Sequence, residues 1–222
     1  MPELVTESIH KLEFDNRNPR LVEMYDNDND AAESKIEIIT SHHKTIDIVQ
    51  DIIDGYYVAP EPMLGLIEND GITVVDGNRR LAALAITHDS DLWSIVSKRS
   101  LVKDAKSPEG RIEHKVDVLL YDSWDEIHKI KIRKHRTNGS LWGGLAQSYD
   151  MRRMLLEGKT CEDVRDIYNV SRFWHNTRIM EMVNAINVFD QINSFVECPW
   201  FKTFHFKSLN SALNHDLSLI HI

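Results

Sequence analysis

Two adjacent arginines follow a glycine in Asp76-Gly77-Asn78-Arg79-Arg80, and their setting gives them chemical meaning. Four β-favouring residues, Ile72-Thr73-Val74-Val75, run into Asp76-Gly77, and Leu81-Ala82-Ala83-Leu84 continues as a helix. Both arginines therefore fall in the first helical turn. A helix N-terminus already carries roughly half a positive charge, so acidic residues are the usual choice there. Arginines at that point suit a bound polyanion, most simply a phosphate chain resting on the amides of Gly77 and Asn78. The alternative is that both guanidinium groups reach carboxylates on the protein surface. Gly77 suits either reading, because a tight strand-to-helix turn favours a residue without Cβ. Asp76, at the strand end, can orient Arg79 or hold a magnesium-bound water, and it is the candidate catalytic carboxylate.

A second chemistry is written further on. Thr160 and Asp163 form a capping-box pair with Asp in place of the usual Glu or Gln. Val164, Ile167, Val170, Ile179 and Val183 supply the apolar positions that pack two helices across a short turn. Asn169 suits that turn and Ser171 caps the helix after it, a helix-turn-helix pattern. The recognition helix would begin at Arg172. Ser171, Arg172, His175, Asn176 and Arg178 are the candidate DNA contacts, since Arg and Asn pair bidentately with guanine and adenine. An ordinary helical hairpin with a polar surface is the competing reading.

Charge favours DNA. Residues 1–126 carry 13 Lys/Arg against 26 Asp/Glu, whereas 127–180 carry 11 against 5, in a chain whose net charge is −9. Such asymmetry points to nucleic-acid contact, or else to a basic face docked on the acidic half.

Asp76 to Leu84 resembles the Gly-(Glu/Asn)-Arg-Arg-x-x-Ala box of the ParB N-terminal domain, the ParB/sulfiredoxin-like family. Leu12 to Leu21, with its Asn18-Pro19-Arg20, is similar to the opening strand of that family, and Ile46 to Gly55 to the helix before its central hairpin. The resemblance covers about residues 8–185. It implies an α+β fold, a mixed sheet with helices followed by an all-helical helix-turn-helix module. It also implies a nucleoside triphosphate, CTP or ATP with Mg2+, held by Gly77, Asn78, Arg79 and Arg80. In this family a segment at the start of the helical domain closes over the nucleotide, and the corresponding residues are His135, Arg136 and Asn138. That segment lacks the glutamate of the partition-protein pattern Glu-Asn-x-x-Arg, which weakens the case for CTP in particular and for its hydrolysis. A basic helix C-terminus accounts for it equally well. A sulfiredoxin needs a cysteine beside the glycine and arginine of the box; Asp76 and Asn78 stand there, so sulfinic acid reductase activity is not expected.

The function these features imply is a nucleotide-responsive DNA-binding protein of partition or regulatory type, from a bacterium, a phage or a mobile element. Any triphosphate hydrolysis would be slow and act as a timer. A ParB-like metal-dependent nuclease is the alternative, disfavoured by having one carboxylate near the arginines where a nuclease clusters several. A homodimer is compatible with the family, although the C-terminal dimerisation domain of partition proteins has no counterpart in the sequence.

The elements must position these residues. A strand is expected near Ile9–Phe14, and the acidic polar stretch over Asp26–Glu33 reads as a solvated loop or helix start. A helix capped by Thr45 should run to about Asp54 and stop at Gly55, with Ile46, Val49, Ile52 and Ile53 on one face. A hairpin should turn at Asn69-Asp70, and the helix of the arginine box should end near Thr87. His88 to Gly110 reads as a polar variable insertion, and Lys115 to Tyr121 as a strand. Ser123 caps a helix toward Arg136, and another should span Leu141–Glu157 and end at Gly158. This places a nucleotide-binding domain at 1–122 and a helical domain at 123–216.

The chain has 222 residues, 42% of them hydrophobic, enough for one large or two small cores. It has no apolar run near the ~20 residues of a membrane span and no leader-like opening, so no membrane partner is expected. Cys161 and Cys198 are too few for a disulfide framework or a metal knuckle, which points to a reducing cytoplasm. No Walker box, Ser-His-Asp order or metal-ligand spacing occurs, and His42-His43 reads as surface. Residues 217–222, Leu-Ser-Leu-Ile-His-Ile, match the translation of a transposon mosaic end used as a sequencing adapter. They are either a chance match or a non-native tail.

Overall fold

Near-continuous apolar residues give the central strands two buried faces. In the computed structural model, which describes residues 2–18, 21, 32–42, 45–68, 71–99, 114–137, 144–168 and 176–195, strands β3 (Met63–Glu68) and β4 (Gly71–Asp76) form the expected antiparallel hairpin. Ile72 and Val74 enter one core cluster while Val75 enters another on the opposite face. Strand β5 (Lys115–Tyr121) lies parallel to β3, and β1 (Glu3–Ser8) pairs antiparallel with β5. At the far edge β2 (Leu12–Phe14) runs parallel to β4, giving the order β1-β5-β3-β4-β2 among the described residues. The single strand expected over Ile9–Phe14 is divided. Ile9–Lys11 make a 3-10 turn, which lets β1 and β2 occupy opposite edges of the sheet.

Helices α1 (Ala32–His42), α2 (Thr45–Ile53), α3 (Asn78–His88) and α4 (Ser90–Arg99) cover the face carrying Ile72, Val74 and Val118. Helix α1 begins at Ala32, within the acidic stretch read as a loop or helix start, and buries Ile36 and Ile39. One of the four corrects the sequence reading. Helix α4 occupies the start of the expected insertion and buries Trp93 and Val96 in the same core. Thr45 is the first residue of α2, but its hydroxyl donates to the Ile39 carbonyl at 3.0 Å, joining α2 to the end of α1. Gly55, at φ +77°, ends α2 as expected.

Helix α5 (Trp124–Thr137) begins with the Glu126 amide donating to the Ser123 hydroxyl, the expected cap. Ile127 joins Leu64, Leu66, Val75 and Tyr121 on the second face of the sheet. A polar cluster accompanies it. The fully buried Asp15, just past β2, accepts from the Arg17 amide and Nε at 3.0 and 3.1 Å, and its other oxygen lies 3.6 Å from the buried Lys131 ammonium. Arg17 also donates to Glu68 at 2.7 Å, with its guanidinium carbon 3.7 Å above the Trp124 ring.

The described residues fall into two compact units, one reaching Lys131 and the other starting at Ile132. The parting thus lies within α5. The second unit holds α6 (Gly144–Leu156), α7 (Cys161–Tyr168) and α8 (Asn176–Phe195) around Met151, Met154, Val164, Ile167, Ile179 and Val183. The capping box is made in full. The Thr160 amide donates to Asp163 Oδ2 at 2.8 Å and the Asp163 amide to Thr160 Oγ1 at 3.1 Å. Tyr168 donates to the buried Asp150 at 2.8 Å, and Arg153 donates to the other oxygen of the same carboxylate, tying α7 to α6. None of the described helices is long and apolar enough to cross a membrane.

Candidate functional site

The turn between β4 and α3 is built on Gly77, whose φ of +108° L side chains rarely adopt. A Cβ added there would also come within 2.9 Å of Met63 Cγ and 3.1 Å of an Arg80 guanidinium nitrogen. The carbonyl of Gly77 accepts from the Leu81 amide at 2.9 Å and so opens α3. Asp76 closes β4 and is half-buried. No acidic residue lies in the first turn of α3. What stands there instead is Asn78, Arg79 and Arg80.

These three side chains are handled differently. Asn78 is buried, and its Nδ2 donates to the Val75 carbonyl at 3.3 Å. Its Oδ1 is buried without a hydrogen-bond donor. Arg79 is half-buried, and that desolvation pulls its guanidinium below the ordinary value, while the charge of Asp47 on α2 pulls the other way. Arg80 donates to the Glu61 carbonyl. Burial raises the nearby Tyr57 phenol above its ordinary value, and the Arg80 charge opposes that shift.

Arg80 and Met63, the two residues that crowd Gly77, also line a cavity of about 440 Å3. Its apolar lining comes from Met63, Leu84, Val116 and the prolines Pro60 and Pro62. Tyr57, His114 and Lys115 add polar groups to the wall, and Glu61 and Asp117 add carboxylates. His114 is fixed by Thr87. The Thr87 hydroxyl donates to the helical carbonyls of Ala83 and Leu84 at 3.1 and 3.0 Å, so at its 2.9 Å contact with His114 Nε2 the ring nitrogen is the donor.

The first half of the expected site is thus carried by one turn: Asp76, Gly77, Asn78, Arg79 and Arg80 are consecutive, with Arg80 bonded to Glu61 and Arg79 within the influence of Asp47. The other candidates stand apart from this geometry. His135 and Arg136 lie in the last turn of α5 with side chains outside those described, and Asn138 is outside the described residues. Ser171, Arg172 and His175 are outside them too, as are Asn169 and Val170 of the expected turn. Asn176 and Arg178 lie in the first turn of α8, with side chains outside those described. Among the described residues no group of three or more His, Cys, Asp or Glu is placed to hold a metal ion.

Tyr57, Glu61 and His114 were not singled out from the sequence. They come from two segments flanking strands, and only the sheet order brings them beside Arg80. The run Tyr57-Val58-Ala59-Pro60-Glu61-Pro62 carried a signal nonetheless, since two prolines make a stiff wall before a buried strand.

No family model matches the chain, and no curated protein matches it. Among solved structures it is similar to the crystal structure of the C-terminally truncated chromosome-partitioning protein ParB from Caulobacter crescentus complexed with CTP-gamma-S. The two share 13% sequence identity at a TM-score of 0.30, over 94% of this chain and 92% of that one. Similarity at this level leaves the chemistry to be argued from the residues themselves.

Proposed function

We propose that this chain is a nucleotide-responsive DNA-binding protein in which the turn at Gly77 holds a triphosphate. The observation that carries the reading is the composition of the first turn of α3. A glycine of positive φ, a buried asparagine and two half-buried arginines occupy a helix N-terminus that has no first-turn carboxylate. Anion binding accounts for the arrangement. Gly77 supplies the positive φ with which the chain enters the helix, the helix amides supply donors, and a phosphate beside Arg79 offsets the desolvation of its guanidinium. A divalent ion accompanying the triphosphate would supply charge neutralisation, and its bound water suits Asn78 Oδ1, a buried acceptor without a donor. Asp76 orients Arg79. His135, Arg136 and Asn138 close on the bound triphosphate. That closure couples it to the placement of Ser171, Arg172, His175, Asn176 and Arg178 on DNA, as the resemblance of Asp76–Leu84 to the ParB box suggests.

The test is binding of CTP, ATP and GTP with magnesium to the purified protein, with and without DNA. Saturable binding of one nucleotide, lost in Arg79→Ala, is the expected result. Binding of none of them overturns the reading and leaves Arg79 and Arg80 free to act on DNA phosphates.

A further inference from the structure

Lys131 and Ile132 are consecutive residues of α5, each 2% exposed, and they are buried in different units. Lys131 lies against Asp15 in the first unit, while Ile132 packs with Met151, Met154 and Val164 in the second. The first unit thus reaches its end on a buried ion pair. Apolar residues of similar volume would hold the helix there at least as well, so stability alone does not account for the pair. What an ion pair adds is a single setting, because apolar side chains slide past one another and buried charges do not. Shifting α5 by one residue, about 100° of rotation and about 1.5 Å of rise, would carry the ammonium off Asp15. The same stripe of the helix is gripped again nearer its start. Trp124 carries the Arg17 guanidinium over its ring and stacks on His128 at 5.2 Å, so Trp124, His128 and Lys131 form one i, i+4, i+7 face. Asp15 is itself fixed by Arg17, which Glu68 holds in turn.

Asp15 is also tied to the strand that builds the candidate site. It follows Phe14, whose register partner on β4 is Val74, and β4 ends at Asp76 before the Gly77 turn. We infer that the Asp15–Lys131 pair is a positioning contact, which fixes the rotation of α5 and thereby links occupancy of the Gly77 turn to DNA binding. The inference rests on the nucleotide reading above and names the residues that carry its coupling. Neither of them touches the ligand. Their role is to hold α5, and with it the last turn that carries His135 and Arg136, in one rotational setting. With both charges removed, the apolar contacts of α5 persist, neighbouring settings become accessible, and binding at the turn no longer biases the helical half.

The test measures affinities of the full chain for CTP, ATP and GTP with magnesium, with and without sheared duplex DNA, in wild type and two variants. Asp15→Asn combined with Lys131→Met removes both charges, keeps an acceptor for Arg17 and strands no buried ion. Glu68→Ala loosens Arg17 from a side chain that is 32% exposed, where a substitution leaves the core intact. For the best nucleotide, DNA should change the wild-type affinity by about fivefold or more. That ratio should fall to within about twofold of one in the double variant, and by about twofold or more in Glu68→Ala, while affinity without DNA stays at the wild-type level. A pair that only stabilises the fold would lower the melting temperature and leave the ratio unchanged, and this result overturns the inference. Should the double variant not fold, an unchanged ratio in Glu68→Ala overturns it in the same way. A wild type whose nucleotide affinity is indifferent to DNA also overturns it, with the phosphate site intact. A wild type that binds no nucleotide overturns both.

Discussion

At the scale of single residues, the two arginines that look equivalent in the sequence have different surroundings. Arg79 lies in the field of Asp47 on α2, and Arg80 is anchored on the Glu61 carbonyl. Arg79→Ala should abolish nucleotide binding with the circular-dichroism spectrum and melting temperature preserved, because a half-buried guanidinium is replaced by a side chain that needs no solvation. Unchanged affinity in the folded variant removes Arg79 from the site. Gly77→Ala acts by another route. The positive φ and the 2.9 Å approach to Met63 Cγ should cost about 1–3 kcal/mol of stability, read by chemical denaturation. A variant as stable as wild type would contradict the backbone argument. Gly77 was legible in the sequence because only a few residue types make a strand-to-helix turn. The pocket residues around Arg80 were not, since Tyr57 and His114 are 57 positions apart and meet through the pairing of β3 with β5.

At the scale of elements, legibility followed the density of the apolar pattern. The β3–β4 hairpin, α2, α3, β5 and the capping box of α7 all carry strong local signals and were anticipated from them. The helix Ser90–Arg99 was missed because its core contact rests on a sparse pair, Trp93 and Val96, in a charged segment. β1 was missed because an edge strand with exposed Glu3 and Leu4 has little alternation to read. What holds these elements is also partly polar. Asp15→Ala removes the carboxylate beside the buried Lys131 and should cost about 3–5 kcal/mol, since a buried ion pair loses one of its members. A denaturation midpoint equal to wild type would show that the pair contributes nothing.

In the second unit, Tyr168 gives a pH signature. Its burial first, and then the Asp150 charge, hold the phenol well above the ordinary 10.0. The folded value exceeds the unfolded one, so its contribution is complete below pH 10.0 and is lost as pH rises toward the folded value. Resistance to urea should therefore fall steadily above that pH. Tyr168→Phe should be less stable by about 1–3 kcal/mol at neutral pH, with the gap closing in alkali. A gap that stays constant across the alkaline range would rule out this linkage.

At the scale of the whole molecule, the most informative sequence property was the placement of charge. The excess of Lys and Arg over residues 127–180 stands against an acidic remainder, and this places any electrostatic attraction to DNA in the helical half. The logarithm of DNA affinity should fall linearly with the logarithm of salt concentration. Arg172→Ala and Arg178→Ala should each weaken binding, and loss of a phosphate contact should reduce the slope by about 1. Affinity indifferent to salt would place the basic segment elsewhere in the mechanism. The end of the strand pattern at Tyr121 is what suggests a boundary in the sequence. A helix such as α5 carries no break in periodicity where one core gives way to another.

The pairing of β1 with β5 also sets a timetable. Thr6 and Asp117 share a hydrogen bond across 111 positions of chain, while β3 ends at Glu68 and β4 begins at Gly71. During synthesis at roughly 5–20 residues per second, β1 must wait on the order of 5–20 s for its partner to be made. The hairpin is available long before. Ribosome-bound intermediates should thus present an open sheet edge at β3, and the last act of assembly is the insertion of β5 between strands that have been waiting for it.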